Sequence, residues 1–148
     1  MPSTIRLHRV FKTTPERLYK AFIDPEAMAK WLPPHGFTGK VHSMDARVGG
    51  RYKMSFTNFT TGSSHAFGGE YLELVPNQRI VHTDVFDGGP AGTMKVTVDI
   101  KKVMGGAELH VTQEGIPDAI PAEMCYLGWG DSLELLQQLV QPEIPDQG

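Results

Sequence analysis

Residues 121–140 read PAEMCYLGWGDSLELLQQLV, and this stretch decides the architecture. No other segment is long and periodic enough to form a major helix. Pro121 suits a first helical turn, where its missing N–H costs nothing and its φ is already set. Ala122, Cys125, Trp129, Leu133, Leu136 and Val140 then recur at steps of three and four, the spacing of one buried helical face. Tyr126, Leu135 and Leu139 widen the stripe, while Glu123, Asp131, Glu134, Gln137 and Gln138 fall mostly on the remaining arc. Pro142 and Pro145 stop the helix. Gly128 and Gly130 flank Trp129, and each costs a helix interior about 1 kcal/mol against Ala. The pair implies a bend, or a sheet packed close against the helix backbone.

Upstream of this helix the pattern is strands and turns. Thr93–Val103 alternates most clearly: Met94, Val96, Val98 and Ile100 face inward, and Lys95, Thr97, Asp99 and Lys101 face outward. Gly105-Gly106 is a hairpin turn, and Ala107–Glu114 returns with Leu109, Val111 and Gln113 on the inner side. Before these come strands over Phe37–Asp45, Arg51–Asn58, His65–Leu74 and Arg79–Asp87, separated by turn residues that include Gly49-Gly50 and Pro76-Asn77. Thr4–Thr13 is a further strand. Two short helices follow it, one started by Thr14-Pro15-Glu16 and one by Asp24-Pro25-Glu26, the second running to Trp31. The order is strand, two short helices, six strands and a long helix. Hairpins join most neighbouring strands, so the sheet should be antiparallel and bent, an α+β domain with one long helix to cover its apolar face.

Bulk properties narrow the function. One domain over residues 1–148 is expected from the length. The net charge is −3 with no basic run, which argues against nucleic acid as the partner. No segment is apolar for long enough to insert across a membrane, and the N-terminus has no apolar signal core. Cys125 is the sole cysteine, so no internal disulfide forms, and a cytoplasmic location is expected. The histidines His8, His35, His42, His65, His82 and His110 show no H-x-x-x-H or H-E-x-x-H spacing, and no metal site is expected. Gly49-Gly50, Gly68-Gly69 and Gly88-Gly89 lack the spacing of phosphate loops, and no cofactor is expected.

Five strings carry a family resemblance: RVFKTTPERLYKAFIDPEAMAKWLPPHGF (9–37), MDARVGGRYKMSF (44–56), FGGEYLELVPNQRIV (67–81), GGAELHVTQEGI (105–116) and GWGDSLELL (128–136). In this order the chain resembles the START/birch-pollen-allergen helix-grip superfamily, and within it the domain named for activators of the heat shock protein 90 ATPase. The resemblance implies a curved antiparallel sheet of about seven strands wrapped around a long C-terminal helix, with two short helices after the first strand. Members bind lipids, sterols, polyketides or flavonoid-like molecules, some are cyclases or hydrolases, and eukaryotic ones are co-chaperone domains. Trp31, Gly49-Gly50 and Trp129 match signature positions. The chain departs from the commoner pattern at His82 and Asp84, where many relatives carry an aromatic, and at Gln113, where many carry a histidine.

A bent sheet gripping one helix leaves room for a ligand cavity of roughly 300–1,000 Å³. Met54, Phe56, Met94, Val96, Tyr126 and Trp129 are expected to line it, with Trp31 and Trp129 as mouth and floor. His82 and Asp84 lie two apart on a strand and share a face. In an apolar cavity, burial and pairing would shift both and make an acid/base pair. Gln113 and Tyr126 would join them in orienting a ligand. The Leu32–Phe37 and Asp87–Gly92 loops have the Gly/Pro content of gating segments. The expectation is binding of a small, largely apolar molecule. Two alternatives remain: an enzyme of cyclase or hydrolase type in the same cavity, and a chaperone-contacting module. A homodimer through a sheet edge or an exposed apolar surface is open.

Overall fold

Alternation sets the strands, and side-chain caps set the short helices. The computed structural model describes residues 2–89 and 92–146, so Pro90 of the glycine-rich loop lies outside the described residues. The order is β1 (Ser3–Phe11), α1 (Pro15–Ile23), α2 (Pro25–Trp31), β2 (Phe37–Met44), β3 (Arg51–Asn58), β4 (Ser64–Val75), β5 (Arg79–Phe86), β6 (Met94–Val103), β7 (Gly106–Ile116) and α3 (Ala122–Val140). The Thr14 side chain caps α1 by accepting from the Arg17 N–H, and Asp24 caps α2 by accepting from Glu26 and Ala27. Pro121 sits one position earlier than its sequence reading: it is the N-cap of α3, with no side-chain hydrogen bond.

The seven strands form one curved antiparallel sheet in the order β1-β7-β6-β5-β4-β3-β2. With α3 across its concave face, this is the helix-grip arrangement. At Gly69 a Cβ would stand 1.7 Å from the Thr83 carbonyl oxygen, so only glycine lets β4 approach β5 there. That close approach lies beside His82 and Asp84.

The main core joins the sheet to α1, α2 and the C-terminal half of α3 through Leu18, Phe22, Trp31, Leu133 and Leu136. Trp31 is fully buried, meets Phe22 edge-on with ring centroids 4.8 Å apart, and donates its indole N–H to the Ala21 carbonyl at 2.9 Å. A smaller cluster of Ile5, Met94 and Ile116 receives the start of α3 through Cys125 and Trp129. The two helix glycines correct the close-packing reading. A Cβ at Gly128 or Gly130 would meet nothing within 4 Å beyond the helix's own backbone.

Candidate functional site

Between the first half of α3 and the inner sheet face lies a cavity of about 260 Å³. Phe56, Phe67, Phe86 and Met94 form its sheet wall, and Leu32 and Pro34 close one side. Cys125, Gly128 and Trp129 roof it from α3. Its polar members are Asp84, Gln113 and Ser132. A smaller pocket of about 40 Å³ shares Asp84 and Trp129 with it and reaches His82, Trp31 and Tyr52.

Phe56, Asp84, Met94, Gln113 and Trp129 are therefore brought together at the main cavity, while Trp31 and His82 line the inner pocket. Three expected positions fall elsewhere. Met54 and Val96 are fully buried in the solid core and line neither space. Alternation put them on the correct face but could not tell a filled part of the interior from a hollow one. Tyr126 is 44% exposed, and its hydroxyl accepts from the Arg6 N–H at 3.4 Å. It lies beside the β1 edge, because the first half of α3 buries a narrower stripe than the second. Of the expected gating loops, Leu32 and Pro34 reach the main cavity, whereas Gly88 and Gly89 do not. Sequence reading missed Ser132, whose hydroxyl donates to the Leu32 carbonyl and ties α3 to the end of α2. Its small polar character within an apolar stripe was the available signal.

Gln113 is held at both ends. Its side-chain oxygen accepts the Trp129 indole N–H at 3.0 Å, and its NH₂ contacts the Met94 sulfur at 3.4 Å. This fixes the Trp129 ring as a rigid wall between the two spaces. His82 Nδ1 lies 3.1 Å from the Thr83 carbonyl oxygen, which can only accept, so Nδ1 carries the proton. The Tyr52 hydroxyl donates to the same carbonyl at 3.3 Å. Asp84 Oδ1 is also 3.1 Å from His82 Nδ1 but lies off the N–H direction, and this buried oxygen has no hydrogen-bond partner.

Burial decides the charges. The His82 and Asp84 side chains are 15% and 13% exposed. Desolvation lowers His82 to about 4, against a smaller opposing effect of the Thr83 carbonyl. It raises Asp84 well above the usual carboxylate range. Burial therefore favours the uncharged form of both side chains. Nearby, desolvation raises Tyr71 to about 12, with Tyr19 adding to the effect. Burial also pushes the Cys125 thiol up, which keeps it protonated and unreactive.

A family model described as "Activator of Hsp90 ATPase homolog 1-like protein" matches residues 12–141. The crystal structure of a Chromobacterium violaceum protein is 58% identical, with a TM-score of 0.92, covering 96% of this chain and 100% of that one. A Rhodobacter sphaeroides crystal structure, 23% identical with a TM-score of 0.81 over 93% of this chain and 91% of that one, shares the fold. The human protein "Activator of 90 kDa heat shock protein ATPase homolog 1" is 30% identical over 126 residues. That match takes in 84% of this chain and 33% of the human protein, so the chain spans about a third of its relative's length.

Proposed function

The chain belongs to the family of Activator of Hsp90 ATPase homolog 1-like proteins, and on that footing we propose that it binds a small, largely apolar molecule in the cavity beneath α3. Asp84 Oδ1 carries this reading. Buried polar atoms in folded proteins nearly always have a partner, and an exception beside a cavity marks a place that a water, an ion or a ligand atom can fill. Here the orphan oxygen belongs to a residue on the wall of a mostly apolar cavity whose other polar side chains, Gln113 and Ser132, are already hydrogen-bonded within the chain. Apolar area supplies the affinity, and one polar contact sets the orientation.

Burial favours the uncharged carboxyl of Asp84, and that preference narrows the ligand class. A neutral carboxyl offers one O–H donor and an acceptor, so it suits a ketone, ester or hydroxyl. A ligand carboxylate would bring an uncompensated charge into the same dry space and is disfavoured there. The volume, slightly below the usual range of roughly 300–1,000 Å³, suits a compact molecule with one or two rings.

A thermal-shift screen of flavonoids, small polyketides, sterols and fatty acids tests the reading, because a ligand of the folded state raises the melting temperature by mass action. Neutral ring compounds bearing a carbonyl or hydroxyl should raise it, and Asp84→Leu should cut their affinity at least tenfold while leaving the fold intact. No shift with any compound, or shifts indifferent to Asp84, would count against it.

A second reading, a chaperone-contacting module, draws on the name of the human relative. Its support is narrower, since two thirds of that protein has no counterpart in the match. An unchanged Hsp90 ATPase rate on addition of the chain would remove it.

A further inference from the structure

We propose a divalent transition-metal site on the outer face of the sheet, held by His8, Glu108 and His110. Register builds it. His8 on β1 stands directly opposite His110 on β7, and Glu108 precedes His110 by two residues and so shares its face. The two imidazole rings lie 4.6 Å apart between centroids. His8 Nε2 is 3.2 Å from Glu108 Oε2, and His110 Nε2 is 2.8 Å from Glu108 Oε1. One ligand atom from each of the three residues lies within 4.8 Å of the other two.

These separations suit an ion. A tetrahedral metal with bonds of about 2.1 Å holds its ligand atoms about 3.4 Å apart. The two imidazole nitrogens approach different oxygens of the Glu108 carboxylate, and with one atom taken from each residue the separations lie within 4.8 Å, so small rotations of the exposed side chains bring the set to that spacing. Without a metal, both Nε2 atoms must carry protons to bond the one carboxylate. With a metal, those two protons leave and both lone pairs turn inward.

The donor set selects the ion. Two imidazoles and one carboxylate suit Zn²⁺, Ni²⁺ or Cu²⁺, whereas Ca²⁺ and Mg²⁺ prefer an all-oxygen shell. Three protein ligands on an open surface leave the remaining position to water or to an added anion. Across β6, Lys101 pairs with Glu108 and Asp99 with His110. Asp99 is bound by Arg79 at 2.7 Å and is not free to join as a fourth ligand. The site lies on the opposite side of the sheet from the cavity, so it stands whether or not the ligand reading does.

The test is calorimetric titration of the chelator-treated full chain with Zn²⁺ alone. One equivalent should bind at pH 7.5, and acidification should release it, because protons compete with the metal for the ligand atoms. His8→Ala and His110→Ala should each weaken it at least tenfold, and Glu108→Gln to a smaller extent. All three positions are surface ones, and unchanged circular dichroism confirms that the variants fold. Substoichiometric Cu²⁺ should broaden the ring resonances of His8 and His110 and leave His82 sharp. Absence of Zn²⁺ uptake, or uptake that survives loss of both His8 and His110, overturns the proposal.

Discussion

The two halves of α3 differ in what lies beneath them. From Leu133 onward the helix rests on solid protein: Leu133, Leu136 and Val140 are buried. Its end is tied down as well. Arg17 donates to the Val140 carbonyl at 3.2 Å and to the Pro142 carbonyl at 2.7 Å, and the Lys12 N–H donates to the Gln141 side chain at 2.9 Å. Before Ser132 the picture reverses. Met124, Tyr126 and Leu127 are exposed, the N-cap contributes no side-chain bond, and Cys125, Gly128 and Trp129 cover a void. One helix therefore clamps the core with its second half and roofs a cavity with its first. Stability and ligand capacity are separated along it, and substitutions in the two halves should act on different quantities.

The largest expected effect lies in the clamping half. Leu136→Ala removes a fully buried side chain from tight packing and should cost about 2–5 kcal/mol in chemical denaturation, with ligand affinity unchanged in the molecules that remain folded. A loss below about 0.5 kcal/mol would mean that this half is not the clamp.

Beneath the roofing half, the next largest effect is pH-dependent. The folded state holds His82 at about 4, against an ordinary 6.5. The fold therefore favours the neutral ring. That stabilisation is present above pH 6.5 and is lost as pH falls towards 4, reaching about 3 kcal/mol. Asp84 runs the other way: its raised pKa favours the fold at low pH and costs stability as pH rises through the folded value. Comparing wild type with His82→Gln isolates the histidine. The variant should lose less stability than wild type between pH 6.5 and 4, and parallel curves would show that the ring is hydrated.

The smallest effect is a gain. Gly128→Ala and Gly130→Ala meet no obstruction and should each stabilise the helix by about 1 kcal/mol in thermal denaturation. They should differ in binding: Gly128 lines the cavity and Gly130 does not. A bulkier Gly128→Leu should weaken ligand binding at least tenfold without destabilising the chain, whereas Gly130→Ala should leave affinity unchanged.

This division was only partly legible in the sequence. Capping residues and period-two alternation are local, so Thr14, Asp24 and the strand from Met94 announced their elements directly. The inner face of each strand was legible for the same reason. The hollow was not. Whether Met54 meets solid core or empty space depends on how seven strands curve against α3, which no window of sequence contains. Tyr126 fits the helical stripe as well as Cys125 does, but only the sheet's width decides which of them is covered. The two glycines pointed to close packing beside Trp129, yet a Cβ at either would meet open space, and only Gly128 lines the cavity. The His8–Glu108–His110 cluster depends on the pairing of the first and last strands, 102 residues apart in the chain at His8 and His110. Glu108-Leu109-His110 alone hinted that two ligating groups share a face.

The two tryptophan indoles give the most direct test of the cavity. Trp129 donates to Gln113 at the cavity wall, and Trp31 donates to Ala21 within the packed helices. In proton–nitrogen correlation spectra, titration with a compound selected by thermal shift should move the Trp129 indole signal saturably and leave that of Trp31 nearly in place. A compound that binds while the Trp129 signal stays fixed would contradict a ligand site beneath the first half of α3.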